Sequence, residues 1–315
     1  MYKPNAEIEI AGRTIGLDHP TYFIADIAAN HDGDFERAKD LIYLAADAGA
    51  DVAKFQHFKA ETIVSDQGFS SLPKEQMSHQ AKWKKSVFEI YQDASINPDW
   101  TPKLKEICDD AGITFFTTPY AADLVEAVDP YVPAYKIGSG DITWPQSIAH
   151  VAGKGKPVIL AAGASTMDDV VRGVDASLAV NPYTVLLQCN TNYTGDWDNF
   201  RHVQLNVLKS FAAMYPGMIR ALSDSELTYA RKEMKAKART RLGSEEIENV
   251  GLIAKAHRVL EMAGWSAGAS DDPEIFRLVE VDGLLPLLTT LTQEDKETKA
   301  APAADAAAAG GTGTG

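Results

Sequence analysis

From Tyr22 to Asp224 the chain alternates between two patterns. Short apolar runs end in small or polar residues, and a stretch with helical spacing of its apolar positions follows each. The runs are Tyr22 to Asn30 (YFIADIAAN), Asp51 to Phe58 (DVAKFQHF), Thr114 to Pro119 (TFFTTP), Ala134 to Gly140 (AYKIGSG), Pro157 to Gly163 (PVILAAG), Thr184 to Asn190 (TVLLQCN) and Met218 to Asp224 (MIRALSD). Most are apolar at odd and even positions alike, as strands covered on both faces are. Between them, Asp34 to Ala48 carries Phe35, Ala38, Leu41, Ile42 and Ala45 at helical spacing, with Gly49 as a stop. Thr166 to Val180 opens on Thr166 as an N-cap, with Asp168 and Asp169 in the first turn, where the helix dipole favours negative charge. Repeated strand–helix units with right-handed crossovers build a parallel sheet. This many in series predict a closed (β/α)8 barrel of the TIM type, incomplete or irregular at its seventh and eighth strands. No G-x-G-x-x-G opens a helix after the first run, which argues against a dinucleotide site.

Two regions depart from the alternation. Lys59 to Asn97 is long for a strand-to-helix connection; it either covers substrate at the mouth of the barrel or is an excursion with a helix of its own. After Asp224 the character changes. Glu226 to Arg241 is highly charged and basic, Glu245 to Ala263 reads as an amphipathic helix, and Arg277 to Gly283 (RLVEVDG) is the one late candidate for a strand. From about Gln293 a polar run leads into APAADAAAAGGTGTG, too poor in apolar residues to build a core. The expected organisation is a barrel domain over 1–292, divergent from about 225, and a disordered tail over 293–315.

Composition narrows the choice of partners. A net charge of −14 repels nucleic acid and anionic membranes. An anionic substrate therefore needs a local cluster of cations and hydroxyls inside a pocket. No run is long and apolar enough to span a bilayer. The first residues lack the apolar core of a signal peptide, and the two cysteines, Cys108 and Cys189, exclude a disulfide framework. The expectation is a cytoplasmic protein.

In such a barrel the chemistry sits at the C-terminal ends of the strands. Those ends supply Asp26, Asn30 and His31, then Lys54, Gln56 and His57, then Thr117 and Thr118. Later strands add Lys136, Ser139 and Asp141; Gln188, Asn190, Thr191, Asn192 and Tyr193; and Ser223 and Asp224. Lys54 and Lys136 are read either as ligand groups or as partners of neighbouring acids. With the hydroxyls they suit a phosphate or carboxylate. Cys189 reads as a small apolar packing group.

Taken together, the motifs resemble a known family. The stretch IADIAANHDGDFERAKDLIYLAADAGADVAKFQHFKAETIVS, followed in order by FFTTPY, YKIGSGDIT, KPVILAAGAS, LLQCNTNYTG and LSD, is similar to N-acetylneuraminate (sialic acid) synthases and their legionaminic and pseudaminic acid relatives. The resemblance covers about residues 22–224. It implies a barrel that condenses phosphoenolpyruvate with an N-acetylated amino-sugar aldehyde, giving a nine-carbon sugar acid and phosphate, with the aid of Mn²⁺ or Mg²⁺. It implies that Lys54 and Lys136 hold the phosphoenolpyruvate anion, with Thr118, Ser139 and Ser223 as further donors. Asn30, His31, Gln56, Gln188, Asn190, Asn192 and Tyr193 complete the substrate side. Asp26 and Asp141 stand where the family has Glu, to orient the aldehyde and the attacking water or to move protons. A homodimer is implied too, although this chain lacks the C-terminal domain that supports it in the family.

The chain also departs from that pattern. Ala161-Ala162-Gly163 replaces Ser-Thr-Gly, and Gln188 replaces a His. At the metal site Ser225 replaces one His ligand, and the run that carries the second is absent; Asp282, in the late strand candidate, is the remaining oxygen ligand to consider. Two alternatives therefore stand beside the synthase: a relative that binds phosphoenolpyruvate or a sugar acid without turnover, and an aldolase that uses Lys54 or Lys136 as a Schiff base.

Overall fold

The computed structural model describes residues 3–16, 19–73, 83–191, 204–224 and 278–282. An antiparallel hairpin comes first, β1 (Glu7–Ile10) and β2 (Arg13–Gly16), paired from Glu7↔Gly16 to Ile10↔Arg13. Its tight turn, Ala11-Gly12, has both residues at positive φ, 51° and 79°. Strands and helices then alternate: β3 (Tyr22–Ala28), α1 (Phe35–Asp47), β4 (Val52–His57), α2 (Ala60–Ile63), α3 (Asp66–Ser71), α4 (Val87–Ala94), α5 (Thr101–Asp110), β5 (Thr114–Pro119), α6 (Ala122–Val128), β6 (Tyr135–Ile137), α7 (Pro145–Ala152), β7 (Val158–Ala161), α8 (Met167–Leu178), β8 (Thr184–Cys189), α9 (Val207–Met214), β9 (Arg220–Asp224) and β10 (Leu278–Asp282).

The hydrogen-bonded order of the 8-stranded sheet is β5-β4-β3-β10-β9-β8-β7-β6, with parallel ladders throughout. Its two end strands, β5 and β6, lie against each other, so the sheet rolls into a (β/α)8-type barrel. The late strand candidate is the eighth strand. It inserts between β9 and β3, with Glu280 opposite both Ser223 and Ile24, and Asp282 opposite Asp26. The charged stretch at 226–241, the expected helix at 245–263 and the tail over 293–315 lie outside the described residues.

Alternation along the strands separates two cores. Ala25, Ile27, Ala53, Phe55, Phe115 and Leu160 face the helices, where they meet Leu41, Ile42, Leu104, Val125, Val170 and Phe211. Ile24, Val52, Phe116, Ile159, Val185, Leu187 and Ala221 face inward. Ile8, Ile10 and Ile15 of the hairpin join this inner cluster, which places the hairpin against the inner core. The hydrophobic reading passes over the hairpin because it is short and half exposed; its one signal is the Ala-Gly turn between alternating residues.

Helix ends follow the capping expectations. Asp34 accepts from the backbone amides of Glu36 and Arg37 and starts α1. Thr166 and Asp169 form a reciprocal capping box on α8, and Ser86 with Glu89 does the same on α4. The excursion from Lys59 holds α2, α3 and α4. Phe58 packs its ring 5.5 Å from Tyr91 of α4 and 6.4 Å from Tyr120, which ties the excursion to the loop after β5. No described helix is long and apolar enough to cross a membrane.

Candidate active site

Lys54 sits midway along β4, opposite Asp26 of β3 and Phe116 of β5. Phe116 belongs to the inner cluster, so all three positions face the barrel interior. Lys54 is 1% exposed, and its Nζ lies 2.7 Å from Oδ1 of Asp26. An ammonium and a carboxylate this far from water are stable only when paired, because desolvating either charge is costly. Just past Asp26 the β3–β4 register slips by a bulge, and Ala28 takes a φ of 50°. Such a bulge bends a strand end and re-aims its side chains.

Lys136 occupies the same face of β6, since its register partner Ile159 lies in the inner cluster. It is also buried, as is Ser139 in the loop that follows. The two lysines thus flank β5, whose inward Thr118 is buried as well and pairs in register with Gln56. Gln56 Nε2 donates to the hydroxyl of Tyr120 at 3.4 Å. A β-carbon on Gly138 would come within 3.2 Å of that hydroxyl and 3.5 Å of Oδ2 of Asp141, so Gln56, Tyr120 and Asp141 gather on one side of the mouth. Burial pushes the Asp141 carboxyl above the usual carboxylate range. Tyr120 was given no role from the sequence, although it closes the FFTTPY motif.

On the other side, the loops after β6, β7 and β8 cross closely. A β-carbon on Gly163 would fall 2.1 Å from Oγ1 of Thr191 and 2.7 Å from Cβ of Ser139. Only glycine lets these three loops meet. The backbone amide of Ala162 donates to the carbonyl of Leu187 at 2.8 Å and fixes the crossing. Asn190 is buried at the end of β8. Cys189 belongs to the inner cluster, so alternation puts Gln188 on the helix-facing parity, its amide reaching the carbonyl of Cys189 at 3.4 Å.

His31 is not at the mouth, and its expected substrate contact is corrected here. It is fully buried in the aromatic layer beneath the helices, edge-on to Trp100 at 5.7 Å and 6.5 Å from Phe55. Its Nδ1 accepts from the amide of Gly33 at 3.1 Å, and burial lowers its pKa. Asn30 is exposed, with its carbonyl accepting from Nε of Arg37 at 2.7 Å. His57 likewise turns outward. It bridges Oγ1 of Thr117 and Oγ1 of Thr101, each at 2.8 Å, and so ties β4 and β5 to α5. Ser223 pairs by backbone register with Cys189 and Glu280. Asn192, Tyr193 and Ser225 lie outside the described residues.

The sequence profile of the NeuB family matches residues 41–249. The chain belongs to the NeuB family. An uncharacterized protein of Methanocaldococcus jannaschii is 30% identical over 212 residues, which cover 66% of this chain and 57% of that protein. N-acetylneuraminate-9-phosphate synthase of Homo sapiens is 29% identical over 216 residues, covering 67% of this chain and 57% of the synthase. This chain therefore spans little more than half the length of these NeuB relatives. The crystal structure of N-acetylneuraminic acid (sialic acid) synthetase from Leptospira borgpetersenii serovar Hardjo-bovis, in complex with citrate, has the same fold. Its TM-score is 0.63 at 21% identity, over 95% of this chain and 99% of that one.

The NeuB family also raises the question of a metal. Among the described residues no group of three or more His, Cys, Asp or Glu side chains is placed to hold one. Asp26, which register places opposite Asp282, has an oxygen 2.7 Å from Nζ of Lys54. The described residues do not build the site. Register places position 282 beside Asp26, one residue past the Val281–Asp224 pair.

Proposed function

We propose that this chain condenses phosphoenolpyruvate with an N-acetylated amino-sugar aldehyde of the N-acetylmannosamine type, forming a nine-carbon sugar acid and releasing phosphate. The observation that carries the reading is the pair of buried, inward lysines on β4 and β6 with Thr118 between them. On a chain of net charge −14, two buried lysines on inward positions flanking β5 favour an anionic ligand at this mouth.

In this mechanism Lys54, Lys136, Thr118, Ser139 and Ser223 hold the phosphoenolpyruvate anion. The same fixed charges stabilise phosphate as it departs. The enol carbon attacks the open-chain aldehyde, water adds to the neighbouring carbon, and phosphate leaves from the tetrahedral adduct. Asp141, its carboxyl raised by burial, delivers a proton to the aldehyde oxygen. Gln56 and Tyr120, hydrogen-bonded to each other beside it, position the sugar together with Asn192 and Tyr193. Asp26 releases Lys54 to the incoming anion and orients the water. A divalent ion, where bound, would supply a Lewis acid for the aldehyde.

The test is phosphate release from phosphoenolpyruvate with N-acetylmannosamine or a related amino sugar, in the presence of Mn²⁺ or Mg²⁺. Release that depends on the sugar supports the synthase reading, and none refutes it. A second reading, binding without turnover, is favoured by Ala161 and Ala162, two buried methyl side chains at the end of β7 where hydroxyls were expected. Calorimetric binding of phosphoenolpyruvate without release would select it. The Schiff-base reading fares worse, because an imine-forming lysine must shed its proton and Lys54 faces a carboxylate at 2.7 Å. Borohydride trapping with pyruvate should give no lysine adduct.

A further inference from the structure

We propose that Tyr91 of α4 is a positioning residue for the sugar: its ring seats Phe58, Phe58 seats Tyr120, and Tyr120 lines the mouth beside Gln56. This role rests on the proposed function and gives the long excursion after β4 a task within it.

The contacts begin at the strand ends. The backbone amide of Tyr120 donates to the carbonyl of His57 at 2.9 Å, which fixes its main chain beside the end of β4. Its ring still turns about the side-chain bonds unless something blocks it. Two surfaces do. Gly138 lies so close to the hydroxyl that a β-carbon there would come within 3.2 Å of it. Phe58, buried just past β4, meets the Tyr120 ring edge-on at 76°, with centroids 6.4 Å apart. Such pairs attract as well as fill space. The hydrogen bond from Gln56 to the Tyr120 hydroxyl is long, at 3.4 Å. A bond of that length orients weakly, so the placement of the hydroxyl depends on how the ring is packed.

Phe58 packs in turn on Tyr91, at 5.5 Å and 58°. Neither ring belongs to the outer or the inner core of the barrel, so their contact is not a by-product of barrel packing. Helix α4 is itself well seated. Ser86 and Glu89 cap its start, and the Ser95 hydroxyl donates to the carbonyl of Tyr91 at 2.8 Å at its end. Its last turn abuts the loop after β3, where a β-carbon on Gly33 would fall 2.9 Å from the carbonyl oxygen of Asp93. Lys59 pairs with Asp123 and pins the start of the excursion to α6. Helix α4 therefore bridges the loop after β3 and the end of β4, and Tyr91 carries that fixed position to Tyr120 through a single intervening ring.

A ring that only filled space would, on removal, lower the amount of active enzyme and affect both substrates together. A positioning ring shifts the sugar and leaves phosphoenolpyruvate, assigned to Lys54, Lys136 and Thr118, where it was.

The experiment is steady-state phosphate release by the full chain with Mn²⁺, varying N-acetylmannosamine at saturating phosphoenolpyruvate and then the reverse. Tyr91→Ala should raise KM for the sugar roughly three- to tenfold, the worth of one aromatic pair. KM for phosphoenolpyruvate should stay within about twofold, since its contacts are untouched. Tyr91→Phe, which keeps the ring, should match the unaltered chain. Phe58→Leu should raise the same sugar KM, and the double variant Phe58→Leu/Tyr91→Ala should go no further than the larger single, because both act through Tyr120. If Tyr91→Ala does not fold, Tyr91→Leu is read in its place. An unchanged sugar KM overturns this role and leaves the proposed function standing. An equal rise in both KM values, or a fall in kcat alone, overturns it in favour of simple packing. If the unaltered chain releases no phosphate, the proposed function falls, and this role with it.

Discussion

The Lys54–Asp26 pair gives a stability experiment that needs no substrate. The ammonium is 1% exposed, the carboxylate side chain 8%, and they are 2.7 Å apart. Replacing Asp26 with Leu removes the carboxylate that faces a buried cation, and replacing Lys54 with Met removes the cation that faces a buried carboxylate. Each single change should cost about 3–5 kcal/mol, the range for breaking a buried pair by removing one partner. The double variant Asp26→Leu/Lys54→Met should recover most of that, because an apolar pair of similar volume needs no solvation. Urea unfolding followed by tryptophan fluorescence measures all four chains in one cycle, and the double variant should fall well short of the sum of the singles. Anion binding should oppose the Asp26→Leu loss, since phosphate can replace the missing carboxylate as the partner of Lys54. Singles that cost under about 1 kcal/mol, or that add without coupling, would mean that Lys54 reaches water, and the reading of the mouth as a dry anion site would fail.

Other outcomes follow from single residues. Burial lowers the His57 pKa to about 4, with His31 nearby adding to the effect, so the folded protein binds fewer protons there than the unfolded chain. Stability from this group is present above the unfolded value of about 6.5 and is lost as pH falls through the folded value, up to about 3 kcal/mol; His57→Gln should flatten the melting profile across that window, and an unchanged profile would show that His57 is not the group that titrates. Gly163→Ala should destabilise by about 1–3 kcal/mol through overpacking and also weaken phosphoenolpyruvate, since the new methyl meets Thr191 and Ser139; a neutral effect on both properties would contradict the crossing.

Much of the barrel is legible in the sequence, because strands buried on both faces leave continuous apolar runs and helices leave capped, amphipathic ones. The eighth strand shows the limit. Leu278–Asp282 is short and carries two acids, so it reads as a weak candidate, and only pairing with β3 and β9 makes it part of the sheet. Site residues divide by a feature that sequence order does not carry: which side of the sheet a strand end faces. Lys54 and Lys136 share the inner parity with Phe116 and Ile159. His57 falls on the opposite parity, and His31, beyond the β3 bulge, turns into the aromatic layer. Tyr120 and Thr191 are set by contacts between segments distant in sequence, for which a linear motif holds no signal beyond the small residues around Gly138 and Gly163.

The most direct measurement is calorimetric titration of phosphoenolpyruvate into the unaltered chain and into Lys136→Met. The unaltered chain should bind, and loss of the β6 ammonium should weaken binding by roughly ten- to a hundredfold. Equal affinity in the two proteins, or no heat from either, would contradict an anion held between the lysines of β4 and β6.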